Sequence, residues 1–394
     1  MKSDIVSTPD PFPPDAINRK NSAKAKLKLL VNGVQDNPEL FKRLSFQFKE
    51  EHYAYDNGNW GVDKNRLVPT EILLPGDIVS KIHIRPDSPI KMQKDGDLLL
   101  IEENGAVLSE FSFLPRPNFW NYQTSKGTPT KRLAQMYGLN CINFNIFSGC
   151  EFHNVGYGCQ FCSVNQTVTR QESVVITKTP EELADVCELV SCHDEIKYII
   201  ITGGSYLDSD YEFDAHMDVI RAIRHKLPWD GRICGNVSLM PPRTQSKLAQ
   251  LFQEGVDHPS FNLEVWPYAA FEKICPGKNR FVGFDRILDS FRTLVSHYGS
   301  GRVWCNFVAG LVPLEDLRNG FNAIAEMGVV PGANIFHPEV GSYIGNNNHR
   351  PNEDFVIRAY YHAAEVYHRF GYKPFFNSAV LRNSLANEAY EGLL

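Results

Sequence analysis

Between Asn140 and Gly371 the chain alternates six times between a short apolar run and a stretch with helical signals, and this regularity limits the fold more than any other feature. The apolar runs are INFNIF (142–147), KYIIITGG (197–204), GRICGNVSLM (231–240), FNLEVW (261–266), RVWCNFVAGL (302–311) and NIFHPEV (334–340). The intervening helices carry start and stop signals. Thr179-Pro180-Glu181-Glu182 supplies a cap residue, a proline for the first helical position and a glutamate placed for a capping box. A second helix is expected around Met217 to Ile223, a third from Arg243 to Glu254 ending at Gly255, and the last two end near Gly328 and Gly371. Phe284, Ile287, Leu288, Phe291, Leu294, Val295 and Tyr298 recur on the one-face period of an amphipathic helix. Strands separated by helices pair in parallel with right-handed crossovers. Six units predict an α/β fold, a partial (βα)6 TIM-type barrel rather than a closed eight-fold one.

Ahead of the barrel the pattern is different. Residues 1–15, rich in Pro and Asp, read as a flexible tail, and Lys- and Leu-rich sequence from Ala16 to Glu51 suggests surface helices. From Leu67 to Leu114 short β-like runs are separated by Asp95-Gly96 and Asn104-Gly105, the second a strong hairpin signal. The expected division is therefore an accessory region at 16–135 with a small antiparallel sheet, a core barrel at 136–372 and a C-terminal tail at 373–394.

The barrel interior is unusual for one packed only for stability. Asn236 and Ser238 share a strand face, Asn262, Glu264 and Trp266 share another, and Asn306 lies mid-strand. Valine, isoleucine and leucine dominate packed barrel interiors. Amides and a carboxylate at period-two spacing point to a wet or ligand-filled cavity, with capping of helix termini as the alternative.

Composition narrows the function. A hydrophobic content of 43% with 22% charged residues is that of a globular chain, and a net charge of −6 gives no electrostatic reason to expect nucleic acid. No apolar run approaches the roughly 20 residues needed to span a bilayer, and the N-terminus lacks the apolar stretch of a secretory signal. The chain is expected to be cytoplasmic. Thiols stay reduced there, and clustered cysteines serve as metal ligands or catalysts.

Three of the nine cysteines, Cys150, Cys159 and Cys162, fall in GCEFHNVGYGCQFCSVNQ just after the first barrel strand. Thiolates are soft ligands suited to zinc, copper(I) or iron–sulfur clusters. Cys150-x-x-His153 with Cys159-x-x-Cys162 would make a four-ligand zinc site. Alternatively the three cysteines alone hold an iron–sulfur cluster with one iron left free. The position at a barrel mouth, the presence of a large fold that needs no structural zinc, and the room left by Gly149, Gly156 and Gly158 favour the cluster. The zinc reading carries its own functions: a scaffold or binding protein, or a hydrolase with His153 and His337 around the metal. Cys234, Cys275 and Cys305 are isolated and read as small buried hydrophobes, Cys187 lies on a helix, and Cys141 precedes the strand at the opposite end of the barrel.

INFNIFSGC leading into CQFC resembles the cluster loop of the radical S-adenosylmethionine superfamily, and NLEVW followed by PGKNRFVGFDRILDSF and NFVAGLVPLEDLRNGFNAIAEMGVVP resembles its biotin-synthase-like branch, over about residues 140–345. The resemblance implies a six-unit partial barrel and an oxygen-sensitive enzyme with a 4Fe–4S cluster on Cys150, Cys159 and Cys162. S-adenosylmethionine would be bound at the fourth iron and cleaved reductively to a 5′-deoxyadenosyl radical that takes hydrogen from a small-molecule substrate. It also implies an external one-electron donor of flavodoxin or ferredoxin type. By the same resemblance Phe161 lies beside the adenine, Gly203, Gly204 and Ser205 contact the methionyl group, Glu264 binds the ribose or amino-acid portion, and Val308, Ala309, Gly310 and Leu311 line the adenine edge. Two departures stand out. Eight residues, EFHNVGYG, separate the first two cysteines where the family usually has three, and TGGSY supplies Ser205 where it usually has a glutamate. His337 and Glu339, at the end of the sixth strand, are candidates for proton handling or substrate binding, with helix capping as the alternative.

Overall fold

The computed structural model describes residues 16–45, 69–165, 175–227, 234–338, 341–345 and 350–394. The N-terminal tail expected at 1–15 lies outside them. Six short strands come first: β1 (Glu71–Leu74), β2 (Ile78–Lys81), β3 (Ile90–Asp95), β4 (Leu98–Glu103), β5 (Ala106–Glu110) and β6 (Ser112–Phe113). They form two antiparallel sheets, ordered β2-β1-β6 and β3-β4-β5, where the sequence suggested one. The β4–β5 hairpin turns at Asn104 and Gly105, both at positive φ (52° and 86°), as the dipeptide demanded.

The main sheet has seven strands: β7 (Ala134–Tyr137), β8 (Cys141–Asn145), β9 (Tyr198–Thr202), β10 (Cys234–Ser238), β11 (His258–Ser260), β12 (Val303–Ala309) and β13 (Val329–Ile335). Their spatial order is their sequence order, from β7 at one edge to β13 at the other. β8 to β13 run parallel, each followed by helical segments; β7 joins β8 antiparallel. The six-unit α/β architecture is thus present, open between β13 and β7. The expected boundary at 135/136 cuts through β7, because Ala134 to Tyr137 pair residue by residue with Phe144 to Cys141.

Helix signals in the sequence correspond to observed caps. Thr179 Oγ1 accepts from the Glu182 amide and donates to Glu182 Oε2 at 2.9 Å, opening the helix Pro180–His193. The helix Phe284–Tyr298 buries Phe284, Ile287, Phe291 and Leu294, each worth about 1.5–3 kcal/mol of burial. The segment 243–254 is a 3₁₀ turn at Gln245–Leu248 running into a short α-helix at Ala249–Gln253.

Two expectations need correction. The fourth strand is His258–Ser260, not 261–266. Beyond Ser260 the chain still follows β12, with Glu264 N–H donating to Asn306 O (3.0 Å) and Val308 N–H to Glu264 O (2.7 Å), but Glu264 sits at φ +70° and interrupts the pleat. As a result Trp266 does not share the inner face with Asn262 and Glu264; it packs on Phe284, ring centroids 5.4 Å apart.

Residues 373–394, expected as a tail, are packed into the molecule. Glu388 is fully buried against Lys26 of the helix Ala16–Asn32 at 2.9 Å. Residues 378–383 bridge the two edges the barrel leaves open. Leu139 N–H donates to Ala379 O beside β7, and Ile335 N–H to Asn383 O beside β13. β2 joins through Val79 N–H to Ser378 O and Lys81 N–H to Arg382 O, both at 2.9 Å. Gly138 permits this approach: a Cβ there would lie 1.8 Å from Ala379 O. Three apolar residues flanked by Ser378, Arg382 and Asn383, too short to show a period, carry no sequence signal for such a seam.

Candidate active site

The cysteine loop leaves β8 and is fastened at once. Lys178, buried, donates to Asn145 O (2.6 Å), Ser148 Oγ (2.8 Å) and Val175 O (2.9 Å), and burial draws its pKa down to about 7. Cys150 caps a one-turn helix at Glu151–Asn154, and its backbone is held on both sides by Asn165, at 2.8 Å through N–H and 3.1 Å through C=O. The long spacer is therefore ordered. It makes one helical turn, reverses at Gly156 (φ +82°) with Tyr157 N–H on Phe152 O, and brings Cys159 and Cys162 back through a turn closed by Cys162 N–H on Cys159 O at 3.0 Å.

All three thiols line one cavity of about 220 Å³. The Cys159 thiol is held well above its ordinary pKa, first by a hydrogen bond with Cys275 and then by burial. Cys275, expected to be isolated, is a neighbour of the loop. Burial also raises Cys150. His153 is not among the lining residues; its ring rests on Gly158, where a Cβ would come within 2.2 Å of Nδ1. Among the described residues no group of three or more Cys, His, Asp or Glu side chains could hold a single metal ion.

Gly203, Gly204 and Ser205, after β9, form the facing wall. Gly204 is required by contact, since a Cβ would lie 1.6 Å from Gly149 O in the cysteine loop. Phe161 and Glu264 also line the cavity, as do Glu212 and Lys278. Lys278 Nζ donates to Glu264 Oε1 and to Asn262 O, both at 2.7 Å. Burial works to lower the Lys278 pKa, but the Glu264 charge and hydrogen bond, together with the negative ends of Cys159 and Cys275, outweigh it and hold the ammonium above its ordinary value.

A second cavity of about 420 Å³ adjoins the first and shares Tyr137, Phe161, Thr202, Ser238, Asn262 and Glu264 with it. Asn236, Asn306 and Asn334 line it, so the polar interior expected from period-two spacing does face a cavity. Val308 and His337 reach it as well. The His337 ring lies 3.9 Å from that of His83, from the N-terminal region. His337 lines this cavity while His153 lines neither of the two, whereas the hydrolase alternative would have needed them around one metal. Ala309 is buried in the core, Gly310 (φ +113°) turns beneath Pro351 and Leu311 packs on the core, so of that stretch Val308 alone is among the lining residues. Glu339 lies outside the described residues.

Sequence reading missed several lining groups. Arg382, at the seam, pairs with Glu71 Oε1 and lies over the Tyr137 ring at 3.7 Å. Glu212 reads in sequence as an ordinary first-turn acid of the helix Ser209–Lys226. Gln135, Asn143 and Asn145 also line the first cavity, and Gln135 Nε2, Asn143 Oδ1 and Asn145 Oδ1 are buried without a hydrogen-bond partner. Buried polar atoms are almost always satisfied. Three soft thiols, a glycine wall and unsatisfied amides around one space fit a cluster with a polar ligand beside it.

The family model of the radical SAM superfamily matches residues 144–319. The bacteriochlorophyllide c C-7(1)-hydroxylase of Chlorobaculum limnaeum is 22% identical over 314 residues, 76% of this chain and 77% of that protein. Among solved structures, methylornithine synthase (PylB) matches with a TM-score of 0.42 at 17% identity, over 58% of this chain and only 62% of its own. A radical SAM methyltransferase from Sphaerobacter thermophilus matches with 0.43 at 12% identity over 77% and 82%, and coproporphyrinogen III oxidase (HemN) from Escherichia coli with 0.40 at 14% over 65% and 58%. Residues 144–319 thus match the radical S-adenosylmethionine superfamily of enzymes, whose members use a 4Fe–4S cluster and S-adenosylmethionine.

Proposed function

We propose that Cys150, Cys159 and Cys162 ligate the cluster, that S-adenosylmethionine lies between Phe161, the Gly203-Gly204-Ser205 turn and Glu264, and that the second cavity receives a small-molecule substrate from which hydrogen is abstracted. When bound and reduced by an external flavodoxin- or ferredoxin-type donor, the cluster and its nucleoside supply the radical chemistry of the superfamily. The protein's own residues orient and enclose. Lys278 pairs with Glu264 and fixes its carboxyl group on the cavity wall, where its oxygens can accept hydrogen bonds from hydroxyl or ammonium groups. Asn236, Asn306 and Asn334 offer donors and acceptors to a polar substrate, and His337, which lines the same cavity, would bind it or exchange a proton. Val380 to Asn383 of the seam form part of the wall of this space. A hydroxylase among the relatives suits a reaction that begins at a carbon–hydrogen bond.

The observation that carries this reading is the convergence of three thiols and the glycine turn on one cavity. Anaerobic reconstitution followed by iron and sulfide analysis, EPR of the reduced protein and detection of 5′-deoxyadenosine tests it. A colourless protein holding one zinc would refute it.

A further inference from the structure

The cavity beside the thiols is lined by two buried carboxylates whose surroundings differ. Glu264 has its cation in Lys278, 2.7 Å away. Glu212, only 1% exposed, has no such partner among the described residues; what holds it is the backbone N–H of Tyr206 on Oε2 (3.0 Å) and that of Met240 on Oε1 (2.8 Å). Each oxygen keeps a further lone pair. Both donors are neutral and the Lys278 ammonium, already paired with Glu264, acts on Glu212 only from beyond ion-pair distance, so the buried charge is poorly compensated, a costly arrangement that an arriving cation relieves. Burial accordingly pushes Glu212 up to about 7.

The location is specific. Tyr206 directly follows the Gly203-Gly204-Ser205 turn, and Met240 follows β10, so Glu212 lies where the two loops meet, on the wall that Ser205 leaves without an acid. We propose that Glu212 is the anionic seat for the ammonium group of S-adenosylmethionine, supplied from the following helix rather than from the turn itself. This rests on the assignment of the cavity to that ligand. The competing role, a clamp that only ties two loops together, predicts no sensitivity to the ligand's amino group.

The test compares equilibrium binding of S-adenosylmethionine and of its analogue lacking the α-amino group to anaerobically reconstituted protein. The wild type is expected to prefer the amino-bearing ligand by roughly ten- to hundred-fold, the range for a hydrogen bond between charged groups. Glu212→Gln is expected to erase most of that preference while keeping the cluster's EPR signal. Should E212Q not retain its cluster, Glu212→Asp replaces it, and a reduced preference is expected. Equal binding of the two ligands by the wild type, or an undiminished preference in the variant, overturns the proposal. Cluster-loaded wild type that binds neither ligand would instead refute the functional reading on which it stands.

Discussion

Lys278 Nζ stands 2.7 Å from Glu264 Oε1, with both side chains nearly buried (9% and 13% exposed) on the wall of the thiol-lined cavity. Removing one member of such a pair strands the other charge. Lys278→Met is expected to cost about 3–5 kcal/mol in denaturant unfolding. The double variant Lys278→Met/Glu264→Gln is expected to recover most of it, since the stranded charge is gone. An additive double variant would show that the two do not interact.

Gly204 touches the cysteine loop so closely that a methyl group would meet Gly149 O at 1.6 Å. Gly204→Ala is expected to push the loops apart, with iron content after reconstitution falling several-fold while far-UV circular dichroism stays native.

Cys150→Ser, Cys159→Ser and Cys162→Ser are each expected to lose the cluster's visible absorption and EPR signal. His153→Ala is expected to keep both, because its ring packs on Gly158 outside the thiol-lined cavity. Loss of iron in the histidine variant would revive a mixed thiol–imidazole site.

Glu212 gives a pH signature. Its folded pKa of about 7 is above the unfolded value of 4.5, so between these limits the folded state holds a proton that the unfolded state has lost. The contribution is fully present below pH 4.5 and lost as pH rises through 7. Relative to Glu212→Gln, the wild type is expected to lose about 3 kcal/mol of stability across that window in urea titrations. A constant difference would place the carboxylate in a polar setting.

At the seam, Gly138→Ala would bring a Cβ to 1.8 Å from Ala379 O at a residue with φ +55°. Limited proteolysis is expected to cut this variant within 376–383 while the wild type resists.

What the sequence disclosed depended on periodicity and local chemistry. The helix opened by Thr179 and Pro180, the amphipathic face from Phe284 to Leu294 and the Asn104-Gly105 hairpin each carry their signal within a few residues. Cys150, Cys159 and Cys162 were legible as a set because soft ligands gathered after a barrel strand have few other uses. Glu264 could be named but not placed, since its left-handed backbone breaks the alternation that put it on a strand. Glu212 and Arg382 escaped notice for another reason. An acid in a helix's first turn and an arginine in an irregular segment look the same at a surface as at a cavity, and only contacts with distant strands distinguish the two.

The wall formed by 378–383 has a kinetic consequence. Lys26 reaches Leu381 O and Glu388 across 355 and 362 positions, and Arg382 reaches Glu71 across 311. Joining such remote parts of a chain exacts the largest loop-closure entropy, which neighbouring strand–helix units escape. The barrel staves are therefore expected to assemble before the side panel shuts, so that the vestibule stays open at its flank until the last contacts form.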